Sequence, residues 1–142
     1  MTATLYRSGM ETGPVRVMLV DDDDKFRELL RRMLDDDGFD VVSDVADATT
    51  AAKEIVAVDP DVVVVDYTLP DGDGLRLADN IRHLRPEQSI IVFSSLFDLT
   101  LRRRAEDQGF FYVEKVDGID VLEATIAHAM AGHGGFDDPS EG

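Results

Sequence analysis

Five short apolar runs alternate with five longer amphipathic segments along the chain. The apolar runs cover residues 15–20, 39–45, 62–65, 89–93 and 110–113. The segments between them repeat apolar residues three or four positions apart, which is typical of helices with one buried face. These predicted helices cover residues 23–37, 48–56, 75–85, 96–108 and 118–131. The alternation predicts an α/β fold, a parallel five-stranded sheet with helices on both of its faces.

Local signals agree with this division. The third run is four consecutive valines, Val62–Val65, which predicts a central parallel strand buried on both faces. Asp47 and Asp73 stand where N-caps of the second and third helices are expected. Gly38 follows the first helix at the position that favours a left-handed residue, and Pro60 prevents the second helix from continuing.

The composition narrows the range of functions. The chain has 142 residues, enough for one domain, and 44% of them are hydrophobic, so it can bury a core. It carries 14 basic and 30 acidic residues, for a formal net charge of −16. Direct DNA binding is therefore not expected, because that activity depends on Lys and Arg neutralising phosphates.

Cysteine usage and the chain termini add further limits. There is no cysteine, which excludes disulfides and thiolate metal ligands. No apolar run approaches the ~20 residues of a membrane span, and residues 1–14 lack the apolar region of a signal peptide. We expect a soluble cytoplasmic protein with one domain at residues 15–131. It would be flanked by a flexible segment at 1–14 and a disordered tail at 132–142.

Polar side chains stand where the predicted strands end. Asp21 and Asp22 follow the first strand, Asp66 the third, Ser94 the fourth and Lys115 the fifth. In a doubly wound sheet of strand order 2-1-3-4-5, the first and third strands are neighbours, and ligands bind at their carboxyl edge. Three carboxylates in one crevice repel each other. A Mg²⁺ ion, which takes oxygen ligands, would resolve that repulsion.

The chemistry implied at this edge is phosphoryl transfer. An aspartate held beside Mg²⁺, as Asp66 would be, is a competent nucleophile toward phosphorus. The transfer itself needs mainly positioning and charge neutralisation. Lys115 can reach one phosphoryl oxygen, and Ser94 can hydrogen-bond another. The alternative for the acids at residues 21–24 is that they only favour a helix N-terminus, and we assign that role to Asp23 and Asp24.

Four segments, residues 17–23, 61–75, 90–95 and 112–115, together resemble the response regulator receiver domains of two-component signalling. The resemblance covers roughly residues 15–131 and implies a (βα)5, flavodoxin-like fold. It also implies a histidine kinase or phosphotransfer protein as phosphodonor. Its implied site residues are Asp66 as phosphoacceptor, Asp21, Asp22, Asp66 and the Thr68 backbone carbonyl as Mg²⁺ ligands, Lys115 as phosphate partner, Ser94 as switch hydroxyl, and Tyr112 as the aromatic switch residue.

Three positions bear on how this chain compares with that family. Val116 replaces the proline that often follows the lysine, so we predict a trans Lys115–Val116 peptide, since a cis bond without proline costs ~3 kcal/mol. The variable positions that tune dephosphorylation carry Thr68 and Leu96. Leu96 has no group to orient an attacking water, so we expect a long-lived phosphoryl state.

The resemblance implies a stand-alone receiver whose phosphorylation switches the 4-5 face, the surface that carries the fourth helix and the fifth strand. Its output would be an interaction with a protein, a phosphorelay histidine or a second copy of the chain. Its catalysis would be limited to its own phosphoryl transfer and dephosphorylation. The arginines at residues 102–104, on the fourth helix, are most simply a solvated face.

Two alternatives belong to different classes. One is a constitutive binding module with an unused acidic pocket, which the intact set of site residues argues against. The other is a small phosphatase with an aspartate nucleophile, similar to haloacid dehalogenases. Those enzymes need a second acid two residues after the nucleophile, where this chain has Thr68.

Overall fold

The structure is a computed structural model that describes residues 13–132. Apart from residues 13, 14 and 132, the two segments predicted to be flexible lie outside the described residues. Among the described helices, none is long and apolar enough to cross a membrane.

Five parallel strands form one sheet in the order β2-β1-β3-β4-β5. The predicted doubly wound fold and its strand order 2-1-3-4-5 are therefore confirmed. The strands are β1 Arg16–Val20, β2 Asp40–Val45, β3 Val62–Val65, β4 Ser89–Ser94 and β5 Phe111–Glu114.

Five α-helices connect and follow the strands. Four of them begin at an aspartate N-cap, whose carboxylate accepts a hydrogen bond from the backbone N–H three residues later, an arrangement worth ~1 kcal/mol for each helix. The caps are Asp23, Asp47, Asp73 and Asp98. The helices are α1 Asp24–Asp36, α2 Ala48–Val58, α3 Gly74–Leu84, α4 Leu99–Asp107 and α5 Ile119–Ala131.

The core has two layers because successive strand side chains point to opposite faces of the sheet. Val63 and Val65 face α2, α3 and α4, whereas Val62 and Val64 face α1 and α5. All four valines are at least 97% buried. The expectation that this strand is central and buried on both faces is confirmed.

Three predicted boundaries were wrong. The fourth helix begins at Leu99, not at residue 96, because the carboxylate of Asp98 caps its first turn by accepting from Leu101 N at 3.1 Å. Leu96 and Phe97 therefore lie in the exposed loop before the helix. The fifth strand is shifted by one residue to Phe111–Glu114, and the fourth extends to Ser94, which pairs with Glu114.

The loop that follows β3 contains regular structure of its own. Thr68–Leu69 and Gly72–Asp73 form a short antiparallel hairpin. Gly72 has a φ of 153°, which favours glycine. After β5, a 3₁₀ turn at Lys115–Asp117 precedes α5. The Lys115–Val116 peptide is trans, as predicted, and no cis peptide occurs among the described residues.

Candidate functional site

The predicted site residues meet at the carboxyl edge of the sheet. Asp21 and Asp66 directly follow β1 and β3, Ser94 is the last residue of β4, and Lys115 directly follows β5. Backbone hydrogen bonds extend the sheet to both aspartates, because Asp21 N donates to Val45 O at 3.0 Å and Asp66 N donates to Val20 O at 2.9 Å. The main chain at both aspartates is thus held by the sheet.

Three carboxylates form a cluster suited to a hard cation. Asp21, Asp22 and Asp66 each offer an oxygen, and these oxygens all lie within 4.8 Å of one another. Asp21 is buried, Asp66 is half-buried and Asp22 is exposed. Mg²⁺ usually binds through one or two carboxylates and keeps several waters. An all-oxygen donor set with one side open to solvent fits that ion.

Lys115 is the cation of the cluster. Its Nζ donates to Asp21 Oδ2 at 2.8 Å and to Asp66 Oδ2 at 3.4 Å. The same nitrogen lies 4.3 Å from the centroid of the Phe26 ring, which itself stacks at 6.1 Å against Phe93. A lysine amine between an aromatic face and two carboxylates has little freedom to leave the site.

Opposing effects act on the proton affinity of Asp66. Burial raises the pKa of this carboxyl above its ordinary value, the charge of Lys115 lowers it, and the neighbouring Asp21 raises it. The Thr68 N–H also donates to Asp66 Oδ1, at 3.4 Å, and lowers the pKa. The net shift is upward, and Lys115 is the largest of the effects that oppose it.

The peptide of Asp66 packs directly against the start of α3. A Cβ on Gly74 would overlap the Asp66 carbonyl oxygen and lie 2.9 Å from Tyr67 Cα. Gly74 N also donates to Tyr67 O at 2.5 Å. The structural role of Gly74 is close packing of backbone against backbone.

The two predicted switch residues contact one intervening segment. Ser94 Oγ accepts a hydrogen bond from Leu96 N at 3.0 Å, and Tyr112 Oη donates to Leu96 O at 2.9 Å. Tyr112 is 95% buried. Burial raises the pKa of its hydroxyl, and a hydrogen bond with Ser94 partly offsets that effect. The loop before α4 is therefore connected to both Ser94 and Tyr112.

Sequence reasoning missed two residues around this site. Arg102 is not on a purely solvated face, because its guanidinium lies 5.0 Å over the Tyr112 ring and 3.5 Å from Glu114. Phe26 lies on α1, and its contact with Lys115 joins residues 89 positions apart. No local pattern in the sequence signals either contact. The predicted carbonyl ligand, Thr68, begins the hairpin two residues after Asp66.

The fold and this edge define a doubly wound α/β domain with an acid cluster and a lysine at its switch point. A family model of the response regulator receiver domain matches residues 17–127. The chain belongs to this family, the receiver domains of two-component signalling.

Similar proteins agree with that assignment. The solved structure of a LuxR-family two-component response regulator from Aurantimonas sp. SI85-9A1 is 30% identical, with a TM-score of 0.72 over 84% of this chain and 94% of that one. The beryllofluoride-activated NtrC4 receiver domain dimer is 28% identical, with a TM-score of 0.75 over 83% of this chain and 98% of that one.

A curated relative is a longer protein. The protein-glutamate methylesterase/protein-glutamine glutaminase 1 of Xanthomonas campestris pv. campestris is 38% identical over 121 residues. The match covers 84% of this chain and 33% of the relative. The chain thus spans about a third of the length of such relatives.

Proposed function

We propose that this receiver accepts a phosphoryl group on Asp66 from a phosphohistidine of a kinase or phosphotransfer protein. The observation that carries the proposal is the half-buried carboxylate of Asp66, held between Lys115 and the acids Asp21 and Asp22 at the switch point of the sheet. An Asp66 oxygen forms the new bond to phosphorus. The bond from phosphorus to the histidine nitrogen breaks, and the imidazole leaves with the bonding electron pair.

The residues around Asp66 have separate tasks in this transfer. Asp21, Asp22, Asp66 and the Thr68 carbonyl would hold Mg²⁺, which when bound supplies neutralisation of phosphoryl charge. Lys115 lowers the pKa of Asp66 and would pair with a phosphoryl oxygen. Because phosphoryl transfer depends on positioning and charge, these groups are sufficient without an additional general base.

The output of the switch is proposed to be a protein interaction on the 4-5 face. Support comes from the contacts of Leu96 with Ser94 and Tyr112, since a shift of the Ser94 hydroxyl toward a phosphoryl group alters one of them. Next to this segment, the side chains of Phe97 and Leu99 are 76% and 65% exposed. Apolar side chains left in water at a switch favour a partner protein or a second copy of the chain.

Intact mass spectrometry after incubation with acetyl phosphate and Mg²⁺ tests the proposal. We expect the wild-type protein to gain one phosphoryl group, and we expect no gain for Asp66→Asn or for the wild type in EDTA. Asn keeps the size of the side chain and removes the nucleophilic anion. A wild-type protein that binds Mg²⁺ but gains no phosphoryl group would support the constitutive binding module instead.

Two further readouts follow from the same sample. Hydrolysis of p-nitrophenyl phosphate at many turnovers per protein would support the phosphatase alternative. Our proposal limits catalysis to the receiver's own phosphorylation and dephosphorylation. Decay of the phosphorylated form tests the role of Leu96, whose side chain cannot orient water; a half-life of seconds would contradict the expected long lifetime.

A further inference from the structure

The first turn of α2 is held by two aspartates from different parts of the chain. The first N–H groups of a helix have no partner within it. Asp47, the N-cap, accepts from Thr50 N at 2.7 Å. The N–H groups of Ala48 and Thr49 are instead bound by the carboxylate of Asp71, at 2.9 Å each, and Thr49 Oγ1 donates to the same carboxylate at 2.7 Å.

Asp71 lies at the tip of the hairpin that follows the phosphoacceptor. The hairpin pairs Thr68 with Asp73 and Leu69 with Gly72, so Asp71 is in its turn. The Thr49 hydroxyl and the two N–H groups lower the pKa of Asp71 to about 2. The side chain is therefore an anion throughout the neutral range, and the contact with α2 is maintained there.

The base of the same hairpin is held at Asp66. Gly74 packs against the Asp66 carbonyl, and Thr68 N contacts the Asp66 carboxylate. Strands of two residues are too short to be stable alone. The position of the Thr68 carbonyl between these points thus depends on both attachments.

We propose that Asp71 is a positioning residue of the proposed metal site: it ties the phosphoacceptor loop to α2, and this tie would hold the Thr68 carbonyl in place as a Mg²⁺ ligand. This inference rests on the proposed function, in which that carbonyl is a ligand. Groups that orient metal ligands without touching the metal typically change affinity 10- to 100-fold when removed. Because the Thr68 carbonyl would be one of several ligands, we expect Asp71→Ala to lower the Mg²⁺ affinity about tenfold.

Asp47→Ala is the matched control, because it removes a carboxylate from the same helix end without touching the hairpin. We expect both variants to lower the melting temperature by similar amounts. Only Asp71→Ala should weaken Mg²⁺ binding, measured by titration calorimetry with MgCl₂. Equal Mg²⁺ affinities for the two variants would overturn the inference, since the effect would then come from α2 alone.

Thr49→Val tests the contact from its other side. It removes only the hydroxyl donor and should weaken Mg²⁺ binding in the same direction by a smaller factor. Because both residues act through one contact, Thr49→Val should add little to Asp71→Ala in the double variant. Additive losses would contradict the inference. The single Thr49→Val variant can be measured even if Asp71→Ala does not fold, and an unchanged Mg²⁺ affinity there would also count against the inference.

The dependence of phosphorylation on Mg²⁺ distinguishes positioning from chemistry. At saturating Mg²⁺, Asp71→Ala should gain its phosphoryl group from acetyl phosphate at the wild-type rate, and at limiting Mg²⁺ it should be slower. A wild-type protein that neither binds Mg²⁺ nor is phosphorylated would refute the proposed function itself. If the wild type binds Mg²⁺ and is phosphorylated, but Asp71→Ala has an unchanged Mg²⁺ affinity, only the role of Asp71 is refuted.

Discussion

Two carboxyl clusters in this domain differ by one cation. At the sheet edge, Asp21 and Asp66 share the amine of Lys115. Between α1 and α5, Asp37 and Glu123 lie together, and burial, followed by the neighbouring Asp37 carboxyl, raises the pKa of Glu123 to about 8. Its Oε2 is buried with no hydrogen-bond partner among the described residues. Lys115 thus opposes the effect of burial on the pKa of Asp66, whereas burial, Asp37 and Asp120 all raise the pKa of Glu123.

Removing the cation from the first cluster should produce the largest effect. Lys115→Met keeps most of the length of the side chain and removes the charge that opposes burial and Asp21, both of which raise the pKa of Asp66. Loss of a charge-assisted hydrogen bond of ~1.5–3 kcal/mol corresponds to a rate about 10- to 100-fold lower. The initial rate of phosphorylation by acetyl phosphate, followed from pH 5 to 9, should fall at neutral pH and shift its midpoint upward.

The control for this variant is Lys53→Met, which makes the same change at an exposed position on α2. It should leave both the rate and the pH midpoint unchanged. If Lys115→Met lowers the rate without moving the midpoint, Lys115 acts on the phosphoryl group alone and does not keep Asp66 ionised.

Removing an acid from the second cluster should raise stability. The folded-state pKa of Glu123, about 8, lies above the ordinary value of ~4.3. The folded state therefore binds this proton more tightly, and the associated stability is full below the ordinary pKa and is lost as pH rises toward 8. Glu123→Gln cannot ionise. Thermal unfolding at pH 8.5 should show it more stable than the wild type by ~1–2 kcal/mol.

At pH 4.5 the stability advantage of Glu123→Gln should be much smaller. Glu28→Gln removes the same charge from an exposed position of α1 and corrects for the general relief of net negative charge. An advantage for Glu123→Gln of the same size at both pH values would mean that its ionisation does not destabilise the folded domain.

The smallest effect concerns the aromatic partner of Lys115. Phe26→Leu keeps apolar packing on α1 and removes the ring face that contacts the amine, an interaction of ~0.5–1 kcal/mol at a partly exposed site. Affinity for beryllofluoride in the presence of Mg²⁺ should fall about two- to fivefold. Phe93→Leu disturbs the same ring pair while leaving Phe26 over Lys115, and it should lower stability more than affinity.

An equal or larger loss of beryllofluoride affinity in Phe93→Leu would show that the ring pair contributes only packing. The sizes of the effects of Lys115→Met, Glu123→Gln and Phe26→Leu compare three influences on carboxyl groups that lie close together. They are a direct cation, a neighbouring carboxyl at a half-buried position, and an aromatic ring that acts through the cation.

The fold could be predicted because its signals are local and repeated. Val62–Val65 is apolar on both faces as a central strand requires, and aspartates mark the starts of α1, α2 and α3. The start of α4 was missed because Leu96 and Phe97 continue the apolar spacing of the helix, whereas the carboxylate of Asp98 determines where the helix begins.

The residues that form the site could be predicted for a related reason. Parallel strands bring their carboxyl ends to one edge, so residues that end strands are brought together whatever their separation in sequence. Contacts between side chains were not predictable in this way. Asp71 with Thr49 and Lys115 with Phe26 depend on how loops and helices pack, and each pair is separated by more than 20 residues with no repeating pattern.

The close packing of Gly74 limits which mutations this position can accept. Every other amino acid has a Cβ, and at this position that atom would overlap the carbonyl oxygen of Asp66. Any missense change in this single codon would therefore displace the peptide of the proposed phosphoacceptor, although the acidic residues themselves remained unchanged. A lineage can exchange a surface residue such as Val116 freely, but it cannot alter codon 74 without moving the site.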